Sequence, residues 1–108
     1  MKFIYILFIF FLTLAFVNPV YAAYIPVPFT VQAPEADWGQ PWQDACEEAV
    51  IAMTDRFYAN QGEFGSIRTA KEAILDIIKI KEKNIGASRD ENAQTITAII
   101  NNFLSWEA

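Results

Sequence analysis

Proline placement constrains this chain more than any other feature. All five prolines fall at or before Pro41, and all four glycines lie at or after Gly39. Proline fixes φ, removes a backbone donor and biases the residue before it toward extended geometry. Ala23 to Gln43 contains Pro26, Pro28, Pro34 and Pro41, so it is expected to be an extended arm and not a helix. The arm also carries Tyr24, Ile25, Phe29, Val31, Trp38 and Trp42. That much apolar side chain suits a segment laid on a core better than a free linker.

From Asp44 onward the chain is free of proline, and apolar residues recur at spacings of three and four. A first helix is expected over Asp44 to about Tyr58. Asp44 reads as its N-cap and Glu47 as the capping-box partner. Cys46, Ala49, Val50, Met53 and Phe57 share one face of it. A second helix is expected from Ser66 or Thr69 to Lys83, with Ile67, Ala70, Ile74, Ile77 and Ile78 as its stripe. Lys79, Lys81 and Lys83 suit the negative end of its dipole. A third is expected from about Arg89 to Leu104, opened by a capping box at Ser88-Arg89-Asp90-Glu91. Its buried face would be Ala93, Ile96, Ile99, Ile100, Phe103 and Leu104. No segment after Gln43 alternates like a strand. The expected fold class is therefore mainly α, three helices (44–108) plus the extended Pro-rich arm (23–43).

Residues 1–22 read differently. Met1-Lys2 is a short basic start, and Phe3 to Val17 follows without a charge. Asn18 and Pro19 break the run, and Val20-Tyr21-Ala22 puts small residues at the −3 and −1 positions of a cut before Ala23. This is the layout of a secretory signal peptide. The alternative is an uncleaved membrane anchor, but the apolar run falls short of the roughly 20 residues that span a bilayer. The expected location is outside the cytosol, with membrane contact only through an uncleaved leader.

Charge and composition exclude several functions. Eight basic and 13 acidic residues leave a net charge of −5. That balance disfavours nucleic acid and anionic lipid as partners. One cysteine rules out an intrachain disulfide and a cysteine-based metal cluster. The absence of histidine rules out His-ligated metal and any Ser-His or Cys-His pair within these residues. No phosphate-binding glycine loop or cluster of metal ligands is present, so no cofactor and no metal are expected.

Cys46 is the candidate chemical group. In the first turn of a helix, free N–H groups and the positive dipole end stabilise a thiolate and lower its pKa. Glu47 and Glu48 oppose this by like-charge repulsion. The competing reading is a small residue on a buried stripe beside two acids that satisfy the dipole.

Asp44-Ala45-Cys46-Glu47-Glu48-Ala49, followed by Met53 and Phe57-Tyr58, resembles the nucleophile helix of papain-like cysteine peptidases related to the bacterial double-glycine leader peptidases. Val27-Pro28-Phe29-Thr30-Val31-Gln32 resembles the extended segment that brings that family's oxyanion glutamine. The resemblance covers about Ile25 to Leu104, the N-terminal helical half of an α+β papain-like fold. It implies Cys46 as nucleophile and Gln32 as oxyanion donor, with Gln40, six residues before Cys46, as the alternative. Gln43 is nearer still but is expected to face away. The family's histidine base and its orienting acid have no counterpart here. The resemblance thus implies an exported, truncated peptidase-like protein without turnover alone, which would take a peptide substrate only when completed by a His-bearing segment. The alternative is a small secreted helical binding or interaction module without catalysis. If the leader is removed as expected, N-terminal sequencing of the exported protein reads Ala23, whereas a start at Met1 identifies an anchor.

Overall fold

The computed structural model of the protein describes residues 1, 4–6, 21–86 and 90–106. Most of the leader, residues 2–3 and 7–20, lies outside the described residues. Among the described residues no helix is long and apolar enough to cross a membrane.

The chain is mainly helical, as the periodicity predicts. After the extended arm comes a single 3-10 turn, Trp42–Asp44, then α1 (Cys46–Tyr58), α2 (Ile67–Asn84) and α3 (Ala93–Phe103). No strand occurs among the described residues. Helices α1 and α2 pack along each other, and α3 closes against α2. The core between them holds Ala45, Ala49, Ile51 and Ala52 of the first helical segment, Ile74, Ile77 and Ile78 of α2, and Ile99 and Ile100 of α3. Small residues on α1 let α2 approach closely, and the isoleucines fill the space. Each fully buried isoleucine contributes about 1.5–3 kcal/mol.

Two helix starts differ from expectation. Asp44 does not cap α1. It sits inside the 3-10 turn, where its N–H donates to Pro41 O at 3.3 Å, and its carboxylate accepts from Gln40 Nε2 at 2.6 Å. Ala45 takes the N-cap position without a side-chain bond. Nor does α3 begin near Arg89. Asn92 caps it, accepting from Thr95 N–H at 2.9 Å, so Asp90 and Glu91 precede the helix. Ser88 and Arg89 lie outside the described residues. The start of α2 agrees with its sequence: Ser66 accepts from Thr69 N–H at 3.1 Å.

The expected stripes also shift in part. On α2, Ala70, Ile74, Ile77 and Ile78 are buried, but Ile67 in the first turn is exposed. On α3, Ile99 and Ile100 are buried and Ile96 and Leu104 pack at their edge, while Ala93 and Phe103 face solvent. Trp106 folds back on α1. Its ring stacks on Tyr58 at 5.0 Å, and its Nε1–H donates to Asp55 at 3.2 Å.

Two further features hold the parts together. Arg56, near the end of α1, donates to the carbonyls of Gln61, Gly62 and Glu63 and lies over the buried Phe64 ring at 5.0 Å. Glu63 in that loop accepts from the N–H of Phe29, so the loop grips the arm. Asn60 takes a left-handed conformation (φ 55°) that lets Gln61 N–H reach back to Arg56 O and end α1.

The second feature is an ion cluster inside the core. Lys81 of α2 is 4 % exposed and pairs with Glu48 of α1, itself 1 % exposed. Lys81 Nζ also lies 3.6 Å from Glu91, whose side chain is buried ahead of α3. Burial pulls the Lys81 ammonium down, but the hydrogen bond and charge of Glu48, with the charge of Glu91, outweigh it and raise its pKa above the ordinary value. A raised lysine stabilises the fold fully below its unfolded pKa of about 10.4 and loses that contribution as pH climbs through the folded value. Lys81→Met is expected to cost about 3–5 kcal/mol in urea denaturation at neutral pH, because it strands Glu48 in the core. The gap between the variant and the parent should narrow only above about pH 10.4. An unchanged urea midpoint at pH 7 would rule out this role for the cluster.

Candidate functional site

The arm is extended and alternates. Pro28 and Thr30 turn toward the helices, with Gln32 half-buried in the same phase, while Val27, Phe29 and Val31 are exposed. A period of two is what extended backbone produces. Three contacts fix the arm against α1 and the turn before it. Thr30 N–H approaches Met53 Sδ at 3.3 Å. Gln32 Nε2 donates to the carbonyls of Trp42 at 3.0 Å and Gln43 at 3.1 Å. Trp42, buried in the 3-10 turn, lies under the Lys71 ammonium at 5.7 Å, and Lys71 pairs with Glu35.

Between arm and α1 lies an open cleft of about 340 Å³. Phe29, Val31 and Trp38 form one wall, and Ala49, Val50 and Met53 form the other. Cys46 and Gln32 line the same cleft. Of the face Cys46, Ala49, Val50, Met53 and Phe57 expected from spacing, the first four line this cleft and Phe57 does not, and that face is not the main core face. Val50 is 56 % exposed and Cys46 is exposed, whereas Ala45, Glu48 and Ala52 are buried in the helical core and Ala49, also buried, lies between the two surfaces. Helix α1 therefore serves two surfaces, one packed and one open.

Cys46 is the first residue of α1, so its position at the helix start agrees with expectation. Its ionisation does not. The thiol donates to Glu47 Oε2 at 3.0 Å. That hydrogen bond, then partial burial and the Glu47 charge, push the thiol pKa above its ordinary value; nearby backbone hydrogen bonds lower it by less. The helix end alone would favour the thiolate. The adjacent carboxylate instead favours S–H, because it is both an acceptor for that proton and a like charge for the sulfur.

The glutamines separate. Gln32 shares the cleft with Cys46, but its amide nitrogen is committed to the backbone carbonyls of Trp42 and Gln43. In this state it is a strut that joins the arm to the 3-10 turn. Gln40 is exposed and bound to Asp44, and it does not line the cleft. Gln43 is exposed; its carbonyl accepts from Gln32 and its N–H donates to Gly39 O at 3.2 Å. Sequence spacing did not single out Glu48, although it had a signal: Glu48 stands three after Ala45 and four before Ala52, on the buried stripe. Lys81 likewise stands four after Ile77 and three after Ile78. Among the described residues no group of three or more histidines, cysteines and acids is gathered as a metal site.

No family model, curated protein or solved structure matches this chain. The chemistry of the cleft thus rests on its own geometry. That geometry offers an exposed sulfur beside an apolar groove, held protonated by its neighbour. Glu47→Gln removes the charge and weakens the acceptor. It is expected to move the pH midpoint of iodoacetamide alkylation downward and to speed the reaction at pH 7 by about three- to tenfold. An unmoved midpoint would show that Glu47 does not control the thiol.

Proposed function

We propose that these residues carry the nucleophile-bearing part of an exported cysteine-peptidase-like site, with the leader removed after Ala22. The observation that carries this reading is the placing of Cys46, at the start of α1, in one cleft with Gln32. In such a site the sulfur attacks a scissile carbonyl, its proton passes to a base, and an amide N–H receives the charge that develops on oxygen. Here the proton acceptor is the part that these residues do not supply. The sequence holds no histidine. Glu47 touches the thiol, but a carboxylate is too weak a base near neutral pH to deprotonate it efficiently. Gln32 would serve the oxyanion only by releasing one of its two carbonyl partners. The expected state of this chain alone is therefore a resting, protonated thiol without turnover, completed by a segment that brings an imidazole.

A second reading, a small secreted helical module that binds through the cleft and performs no catalysis, is favoured by the same raised thiol and by the apolar walls. The two readings part on chemical rescue. With an activated acyl ester as probe, free imidazole is expected to drive a saturable, stoichiometric acylation of Cys46, read by mass spectrometry. Gln32→Ala should slow that acylation by about a hundredfold, the lower end of the loss from a missing oxyanion donor. If imidazole gives no more acylation of Cys46 than of a free thiol peptide, the peptidase-like reading fails and the binding module remains.

A further inference from the structure

The cleft is built from a stretch of chain with an unusual charge. No Lys or Arg occurs between Lys2 and Arg56, and the interval contains Glu35, Asp37, Asp44, Glu47, Glu48 and Asp55. Helix α2 supplies cations to two of these acids, Lys71 to Glu35 and Lys81 to Glu48. Neither of those lysines lines the open groove. The acids adjoining the groove keep neutral partners. Glu47, next to Cys46, accepts from the thiol. Asp37, next to Trp38, accepts from the Gly39 N–H at 2.9 Å. Glu47 thus puts a negative charge beside the trough at Cys46, and Asp37 adjoins its wall residue Trp38 in sequence.

We propose that this cleft docks an extended cationic peptide, seating a large apolar side chain between Phe29, Val31 and Trp38 on one side and Val50 and Met53 on the other. Lysine or arginine residues flanking that side chain meet Glu47 and Asp37. The proposal names the substrate class of the site, and it rests on the peptidase-like reading only for the chemistry after binding. Docking itself does not use the sulfur. The groove's volume lies within the range of small-molecule and peptide pockets, and most of its lining is apolar. Charge decides among occupants. A second copy of this chain brings another −5 charge, and an anionic membrane surface brings a negative potential, so both are repelled. A basic peptide is attracted, and its apolar residue is the one the walls accept.

The test is fluorescence anisotropy of labelled hexapeptides on the full protein. One peptide has Leu-Phe flanked by two lysines on each side, a second replaces the lysines by glutamates, and a third replaces Leu-Phe by Ala-Ala. At low salt the lysine peptide is expected to bind about tenfold or more tighter than the glutamate peptide, with the gap shrinking severalfold at about 0.5 M salt. The Ala-Ala peptide is expected to bind about tenfold more weakly than the Leu-Phe peptide. Val50→Lys alters an exposed position on the trough wall. It should weaken the lysine peptide by about tenfold through both shape and charge, with circular dichroism unchanged. Equal binding of the glutamate peptide, indifference to Leu-Phe, or indifference to Val50→Lys would each overturn the proposal. So would concentration-dependent self-association that shields Trp38 from quenchers, which would assign the groove to a second copy. Anisotropy reads docking and mass spectrometry reads acylation, so failure of this proposal and failure of the peptidase-like reading are separate results.

Discussion

The buried Lys81 ammonium governs the rest of the structure. It draws a carboxylate from α1 and another from the approach to α3 into the same interior, so three helices meet at one charge. An isolated ammonium in that position would cost several kcal/mol, and a lone carboxylate would cost as much. Each group is tolerable only with the other present. The cluster therefore fixes rotation as well as proximity. Glu48 must face inward. An α-helix turns about 100° per residue, so the side chain two positions earlier points about 200° away. That side chain is Cys46. The exposure of the sulfur follows from the burial of the acid two residues on. An apolar residue at position 48 could slide or rotate over the small side chains of α1 with little loss, whereas the ion pair admits one register.

The arm depends on that register in turn. With Glu48 inward, the adjoining face of α1 presents Met53 and Val50 outward, and the extended arm lies over it. The prolines keep the arm from folding into a helix of its own, and its period of two turns alternate residues down. Gln32 then ties the arm to the 3-10 turn, while the Arg56-organised loop holds it through Glu63. The cleft is what remains between two elements fixed at both ends. Its shape is set by packing elsewhere.

Much of this organisation is legible in the residues. The proline boundary, the three apolar periodicities and the Ser66 cap are local signals, and local physics decided them. Asp44 and Ser88 show where local reading stops. Both are good capping residues by type, but Asp44 is taken up by Gln40 in a 3-10 turn, and Asn92, four residues after Ser88, caps α3. Where several good caps stand close together, the choice is settled by where the core lets the helix begin. Glu48 and Lys81 are harder. Residue type says surface, and stripe position says core. The stripe prevailed in the structure because the two charges could be buried together, a fact that neither helix states alone. Gln32 and Gln40 were open on spacing. Only the return of the arm across α1 puts Gln32 beside the cleft and leaves Gln40 at the surface.

The ionisation of Cys46 sets two electrostatic effects against each other. A helix N-terminus stabilises an anion by about 0.3–1 kcal/mol at an exposed position. Against it, the thiol's hydrogen bond to the Glu47 carboxylate favours the protonated form, and the like charge adds to that preference. The thiol–Glu47 contact at 3.0 Å is the larger effect, and it favours the proton remaining on sulfur. The balance is conditional, however. A cation that pairs with Glu47 removes the acceptor and cancels the like charge in one step, leaving the helix end as the dominant field. A basic peptide seated in the groove is such a cation. If a basic peptide docks as proposed, the thiol is expected to become more acidic on docking.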